Sequence, residues 1–211
     1  MNILGFDTGL NKTYLALETQ GIIYSEIIES TDEKYHSAFL IKKIVEMLEK
    51  HNLTPQDINL ITTNIGPGSF TGIRVGLTVA RAFAQGTNAK TIGINSLELI
   101  AQAYELPAIT ILDARKNKAY VGNDKKTDLI ELEELPSILN NFDGKIVADT
   151  RMQEFLAENK INALNFEAET KDYGQILIKI AKEKLEKGLD TKWQGLKPLY
   201  IQPPPIHQKK V

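Results

Sequence analysis

The sequence predicts an α/β fold. Three observations carry this: strand-like runs fill the first 28 residues, later apolar segments alternate between strand and helical period, and a glycine-rich turn at residues 66–72 feeds a long helix. Residues 2–6 (NILGF) form a short buried-type strand ending at the turn signal Asp7-Thr8-Gly9. Residues 13–17 and 22–28 alternate well enough for two more strands, with Gln20-Gly21 as the hairpin turn between them. Residues 34–50 are helical by period, and Ser37, Ile41, Ile44, Val45 and Leu48 share the face expected to enter the core. A strand at 59–65, the glycine-rich turn and its helix, a strand at 91–94, a helix at 96–104 and a strand at 108–112 follow. The order βββαβαβα is that of a ribonuclease-H-like unit, in which parallel crossovers extend a sheet begun by three antiparallel strands.

Beyond Pro107 the pattern is weaker. Residues 120–122 fit part of a strand, 145–148 a better one, 152–158 a short helix and 173–187 a strong helix carrying Ile176, Ile180 and Leu185. Pro203-Pro204-Pro205 cannot sit in a helix interior, so residues 198–205 are expected to be extended. No internal repeat stands out. The natural division lies near residue 105, giving units 1–104 and 105–211, the second closing in a proline-rich tail.

Charge and composition remove several function classes. Twenty-five basic against 27 acidic residues leave a net charge of −2, too little for an overall field that recruits nucleic acid or membrane. The absence of cysteine excludes disulfides, thiolate catalysis and cysteine-bound zinc. No run of 18 apolar residues suggests a membrane span and the N-terminus has no basic leader, so a cytoplasmic protein is expected. His36, His51 and His207 are not paired at helical spacing, so no metal site is predicted.

The segment GPGSFTGIRVGLTVARAFA at 66–84 carries most of the functional information. Gly66, Pro67, Gly68 and Gly72 shape a tight turn, and Ser69 or Thr71 can cap the helix. Such a turn can offer bare amides to an anion at the positive end of a helix. Neither standard phosphate loop fits, because Ile73 and Arg74 follow Gly72 and Thr71 stands where a dinucleotide fingerprint needs glycine. Asp7, Thr8, Gly9, Gly68 and Ser69 remain as candidates for a residual nucleotide or anion site. Asp7, at a strand end, could orient a metal-bound water, but an aspartate in that position more often caps a turn. Asp113 and Arg115 close a later strand, where they fit either a cleft or a solvated ion pair.

The helix itself has two faces. Gly72, Gly76, Ala80 and Ala84 form an i, i+4 ridge flanked by Ile73 and Leu77. Val75, Val79, Ala82 and Phe83 lie opposite, and only Arg74, Thr78, Arg81 and Gln85 are polar. The helix at 34–50 repeats the feature, with His36, Leu40, Lys43 and Met47 on a second stripe and Phe39 between the stripes. A second apolar face needs either another layer of this chain or another chain to cover it.

The segments ILGFDTGLNKTYLAL, GPGSFTGIRVGLTVARAFAQG, IGINSLELIA, DARKNKAYVG and PLYIQPP together resemble the TsaB family, also called YeaZ. GPGSFTGIRVG is the most specific of them. The resemblance implies two ribonuclease-H-like lobes of the actin-like ATPase superfamily, the second reduced. It implies a non-catalytic subunit of the machinery that makes N6-threonylcarbamoyladenosine in tRNA. Such a subunit docks on a TsaD-like transferase through the two helices just described, here through His36, Phe39, Leu40, Lys43, Met47, Arg74, Val75, Thr78, Val79, Ala82 and Phe83. A TsaE-like ATPase is expected to join, ATP and metal to sit on the partner subunits, tRNA to be met only through the complex, and the chain alone to pair as a homodimer. The alternative is a small actin-like ATP-dependent phosphotransferase acting on its own through Asp7 and the turn at 66–71.

Overall fold

The computed structural model describes residues 1–29, 36–104, 106–123 and 125–201. Strands β1 (Ile3–Asp7), β2 (Thr13–Thr19) and β3 (Ile22–Ile28) form an antiparallel meander. Helix α1 (His36–Lys50) leads to β4 (Leu60–Gly66), helix α2 (Phe70–Thr87) to β5 (Lys90–Asn95), and α3 (Ser96–Gln102) leaves the sheet. β4 runs parallel to β1 and β5 parallel to β4, giving the order β3-β2-β1-β4-β5. The α/β class and the ribonuclease-H-like order are as the sequence predicts.

A second sheet repeats the order. β6 (Ala108–Arg115), β7 (Lys118–Gly122) and β8 (Thr127–Glu131) form its meander; α4 (Leu135–Leu139), β9 (Lys145–Ala148), α5 (Thr150–Glu158) and β10 (Leu164–Asn165) complete it. The sheet runs β10-β9-β6-β7-β8, with β9 parallel to β6 and β10 parallel to β9. Sequence periodicity missed β8, α4 and β10, because elements of two to five residues show too few turns of any period. The two lobes therefore share topology without a repeat visible in sequence, and the second is the smaller.

Helix α6 (Tyr173–Glu186) follows the second sheet in the chain but lies on the first. Leu177 and Ile178 join Ile3, Tyr14, Ala16, Leu60 and Ile92 in one core. A Cβ on Gly5 would stand 3.1 Å from the Ile178 side chain, and one on Gly174 would stand 3.1 Å from the Ala16 Cβ, so these glycines set the close approach. Lys182 pairs with Glu18, and Lys184 with Glu98, at 2.7 Å each. The spatial division thus differs from a linear cut at residue 105: residues 173–186 supply a layer of the first lobe.

The opposite face of the first sheet packs on α1 and α2. Successive residues of β1 and β2 point to opposite faces, so Leu4, Phe6, Leu15 and Leu17 meet this second core while Ile3, Tyr14 and Ala16 meet the first. The predicted ridge of α2 enters it as expected, with Gly72, Ile73, Gly76, Leu77, Ala80 and Ala84 all buried. Helix α1 is rotated from the predicted setting. Leu40, Ile44, Met47 and Leu48 are buried, whereas Ile41 is 52 % and Val45 44 % exposed. Both stripes of α1 are apolar, so periodicity cannot choose between them. Contacts with the sheet do, including the ion pair of Lys43 with Glu26 on β3 at 2.8 Å.

The chain after α6 returns along the outer edge of β5. Thr191 pairs with Thr91, Leu196 is buried, and the Leu199 amide donates to the Ile65 carbonyl at 2.8 Å. This covers an edge that would otherwise be open. Residues 203–205, expected to be extended, and the lysines at 209 and 210 lie outside the described residues. Among the described residues no helix is long and apolar enough to cross a membrane.

Candidate functional site

Two surfaces merit functional consideration: a cleft between the sheets and the outer face of α1 and α2. The cleft, about 720 Å³, is lined on one side by Gly9, Leu10, Asn11, Gly68, Ser69 and Phe70. Asp7 ends β1 fully buried and accepts hydrogen bonds from the amides of Gly9 at 2.7 Å and Leu10 at 3.2 Å. Burial pushes its carboxyl up to about 6, an effect those amide bonds only partly offset. It is a turn staple facing backbone, with no place in the cleft lining.

The glycine-rich turn is built around that staple. The Thr8 hydroxyl donates to the Gly72 carbonyl at 2.7 Å, and the Ser69 amide donates to the Gly9 carbonyl at 2.9 Å. A Cβ on Gly72 would lie 1.8 Å from the Thr8 carbonyl oxygen, and one on Gly68 would lie 2.6 Å from that of Gly9. Gly66 has a φ of 101°, which only glycine adopts without strain. Ser69 caps α2 by accepting from the Gly72 amide at 3.2 Å. Of the amides expected to face an anion, those of Ser69 and Gly72 are already bonded within the chain, and the glycines let the 7–9 turn touch α2. Asp7, Thr8, Gly9, Gly68 and Ser69 are brought together, but only the last three line the cleft.

The other wall comes from the second sheet. Asp149 caps α5 by accepting from Met152 at 2.8 Å and also accepts the Asp113 amide at 2.6 Å; burial raises its carboxyl above the usual range. Glu167 accepts from both the Thr150 amide, at 3.0 Å, and the Thr150 hydroxyl, at 2.7 Å. A carboxylate of the chain therefore already occupies the positive end of α5. Asp113 binds Arg151 at 2.8 Å and Arg115 at 3.3 Å, so both arginines of the cleft are tied to a carboxylate of the chain. With Glu154 the lining carries four carboxylates against two guanidiniums, a poor field for a polyphosphate. Among the described residues no group of three His, Asp or Glu side chains could hold a metal ion. Sequence reasoning singled out Asp113 and Arg115 but missed Glu154 and Glu167, which the folding of the second sheet brings to the same cleft.

The outer face of α1 and α2 is apolar without being buried. Phe39, Ile41, Val45 and Phe70 are exposed, Phe39 and Phe70 by half. Between the helices lies a groove of about 410 Å³ formed by Ile41, Phe70, Thr71, Arg74, Val75, Thr78 and Val79. Of the predicted interface, Phe39, Arg74, Thr78 and Ala82 are exposed, while Lys43, Val75, Val79 and Phe83 are half-buried. Leu40 and Met47 are corrected: they face the core, because α1 presents its other stripe outward. The His36 side chain lies outside the described residues. Ile41, Val45 and Phe70 are the surface residues the sequence reading missed, the first two through the same reversal.

Comparison with known proteins gives this architecture a family. The model of the family TsaD, tRNA N6-adenosine threonylcarbamoyltransferase, matches residues 23–190. The chain is 30 % identical over 125 residues to the tRNA threonylcarbamoyladenosine biosynthesis protein TsaB of Bacillus subtilis (strain 168), covering 58 % of this chain and 54 % of that protein. The TsaB of Escherichia coli (strain K12) is 28 % identical over 125 residues, 57 % of this chain and 53 % of the relative. The chain thus spans about half the length of the curated relatives it matches. In structure it is similar to YeaZ from Pseudomonas aeruginosa, with a TM-score of 0.77 at 18 % identity over 95 % of this chain and 99 % of the other. Two sheets of ribonuclease-H-like order, a glycine-rich turn locked onto the β1 turn and these matches agree, and the chain belongs to the TsaD family with its TsaB, or YeaZ, relatives, on the actin-like ATPase fold.

Proposed function

We propose that this chain is an accessory subunit in the formation of N6-threonylcarbamoyladenosine in tRNA, docking on and activating a TsaD-type transferase. The observation that carries this reading is the outer face of α1 and α2: Phe39, Ile41, Val45 and Phe70 are exposed together although the inner stripes of both helices already fill the core. Such a patch beside a preformed groove has the composition of a protein contact. On this reading ATP and metal belong to the partner subunits, a TsaE-type ATPase joins the assembly, and tRNA is met in the complex, in the cytoplasm. The same face pairs two copies when the transferase is absent. The cleft supports the non-catalytic part, since Glu167 and Asp113 already take the groups that would hold phosphate.

Ile41→Glu tests the reading, because that side chain is half exposed and its replacement spares the core. The variant is expected to keep its fold and lose co-purification with the TsaD-type subunit. Undiminished co-purification would overturn the docking face. Titration of the chain alone with magnesium and ATP is expected to give no saturable heat; saturable binding would favour a phosphotransferase instead.

A further inference from the structure

The groove has an unusual charge arrangement. Helix α2 (FTGIRVGLTVARAFAQGT) carries two arginines and no carboxylate. Arg74 forms part of the groove and its guanidinium lies over the Phe70 ring, 5.3 Å from the centroid. Arg81 lies over the Trp193 ring at 5.5 Å. Neither arginine is in an ion pair among the described residues, whereas the neighbouring lysines of α1 are matched, Lys42 by Glu46 and Lys43 by Glu26 and Glu46. Seven residues separate Arg74 from Arg81, which places them on one line of the helix about 10.5 Å apart. Trp193 packs against the core shared by α1 and α2, while Phe70 is half exposed with Tyr200 as its ring neighbour.

Two guanidiniums lying over aromatic rings are biased toward one side of the helix. An attraction to a ring face narrows the rotamers in advance, so less is lost when a carboxylate arrives. The apolar groove that Arg74 lines will lose its water on docking, Arg81 stands two turns along the same helix line, and a guanidinium buried without a counter-charge is costly. Whatever covers this face must therefore bring carboxylates to both positions.

We infer that the partner's docking element presents two carboxylates about two helical turns apart, one for Arg74 and one for Arg81, and that this acidic pair selects a foreign helix over a second copy of this chain. A symmetric pairing of α2 with its own copy, the weaker arrangement taken when the transferase is absent, would bring the same cations of two copies to one interface with no acid on either α2, and like charges across an interface are repelled. The inference rests on the proposed docking role of this face and adds the chemistry of its occupant.

The test is the affinity of the full chain for the TsaD-type subunit of the same cell, measured by calorimetry at low and high salt. Wild type, Arg74→Gln/Arg81→Gln and Ile41→Glu are compared, with self-association of each followed by sedimentation. The double variant is expected to bind the subunit about 30-fold or more weakly and to lose most of the salt dependence. Thermal melts are expected to be close to that of wild type, because both side chains reach the surface. If the double variant binds within about 3-fold with an unchanged salt dependence while Ile41→Glu abolishes binding, the docking reading stands and the acidic pair is wrong. If wild type does not bind the subunit, both fall. If the arginine changes weaken self-association instead of subunit binding, the selected occupant is a second copy and the inference is overturned.

Discussion

Asp7→Asn separates a buried turn staple from a carboxylate that serves the cleft. In the folded chain desolvation by burial raises the carboxyl from 3.8 to about 6, with the Gly9 and Leu10 amides opposing part of the rise. A raised value means the folded state holds the proton more tightly than the unfolded chain. This contribution to stability is full below about pH 4 and is lost as pH rises through 6. At 1.36 kcal/mol per tenfold change in proton affinity the loss by pH 7 is about 3 kcal/mol, most of it falling between pH 4 and pH 7. Asparagine keeps an acceptor for the Gly9 amide and gives up the bond to Leu10, a cost of about 1 kcal/mol that does not vary with pH. Urea unfolding of both proteins at pH 4 and pH 7 measures the difference of differences, in which all other titrating groups cancel. The stability of Asp7→Asn relative to wild type is expected to improve by 2–3 kcal/mol over that interval. A flat difference would show that Asp7 titrates as a solvated carboxylate and would return it to the cleft as a candidate for chemistry.

Two further substitutions test the packing that underlies the site. Leu40→Ala is expected to cost about 2–5 kcal/mol because the side chain is fully buried, while Ile41→Ala costs under about 1 kcal/mol; denaturant midpoints decide, and the reverse order of costs would restore the predicted rotation of α1. Gly72→Ala forces apart backbone atoms that an added Cβ would approach to 1.8 Å, so a loss of about 3 kcal/mol or more is expected in the same assay. A loss below about 1 kcal/mol would mean that the 7–9 turn is not locked onto α2.

Much of the first lobe is legible in the sequence. Its strands and helices are long enough to show period, and the Gly72, Gly76, Ala80 and Ala84 ridge identifies the buried side of α2 because small residues at i, i+4 serve close packing. The candidate site is legible as a segment and misread in its chemistry. The glycines of the 66–72 turn suggest backbone opened toward a ligand; the structure uses that opening for the Thr8 and Gly9 carbonyls. Nothing local distinguishes the two uses, since both need glycine in the same places. The exposed face of α1 was misassigned for a similar reason: a helix with two apolar stripes has no preferred side until a sheet is laid against it.

The order of elements in the first sheet, the position of the glycine-rich turn and the presence of surplus apolar surface on α1 and α2 were determined by the sequence alone, because strand alternation, helical period and turn chemistry act over a few residues. The tertiary structure decided which stripe of α1 meets the sheet, that α6 returns to the first lobe through Lys182 and Glu18, and that Glu167 fills the positive end of α5. Each of these depends on partners distant in the chain, 164 residues apart for Lys182 and Glu18. Whether such a pair forms depends on the packing of whole layers, which no local pattern encodes.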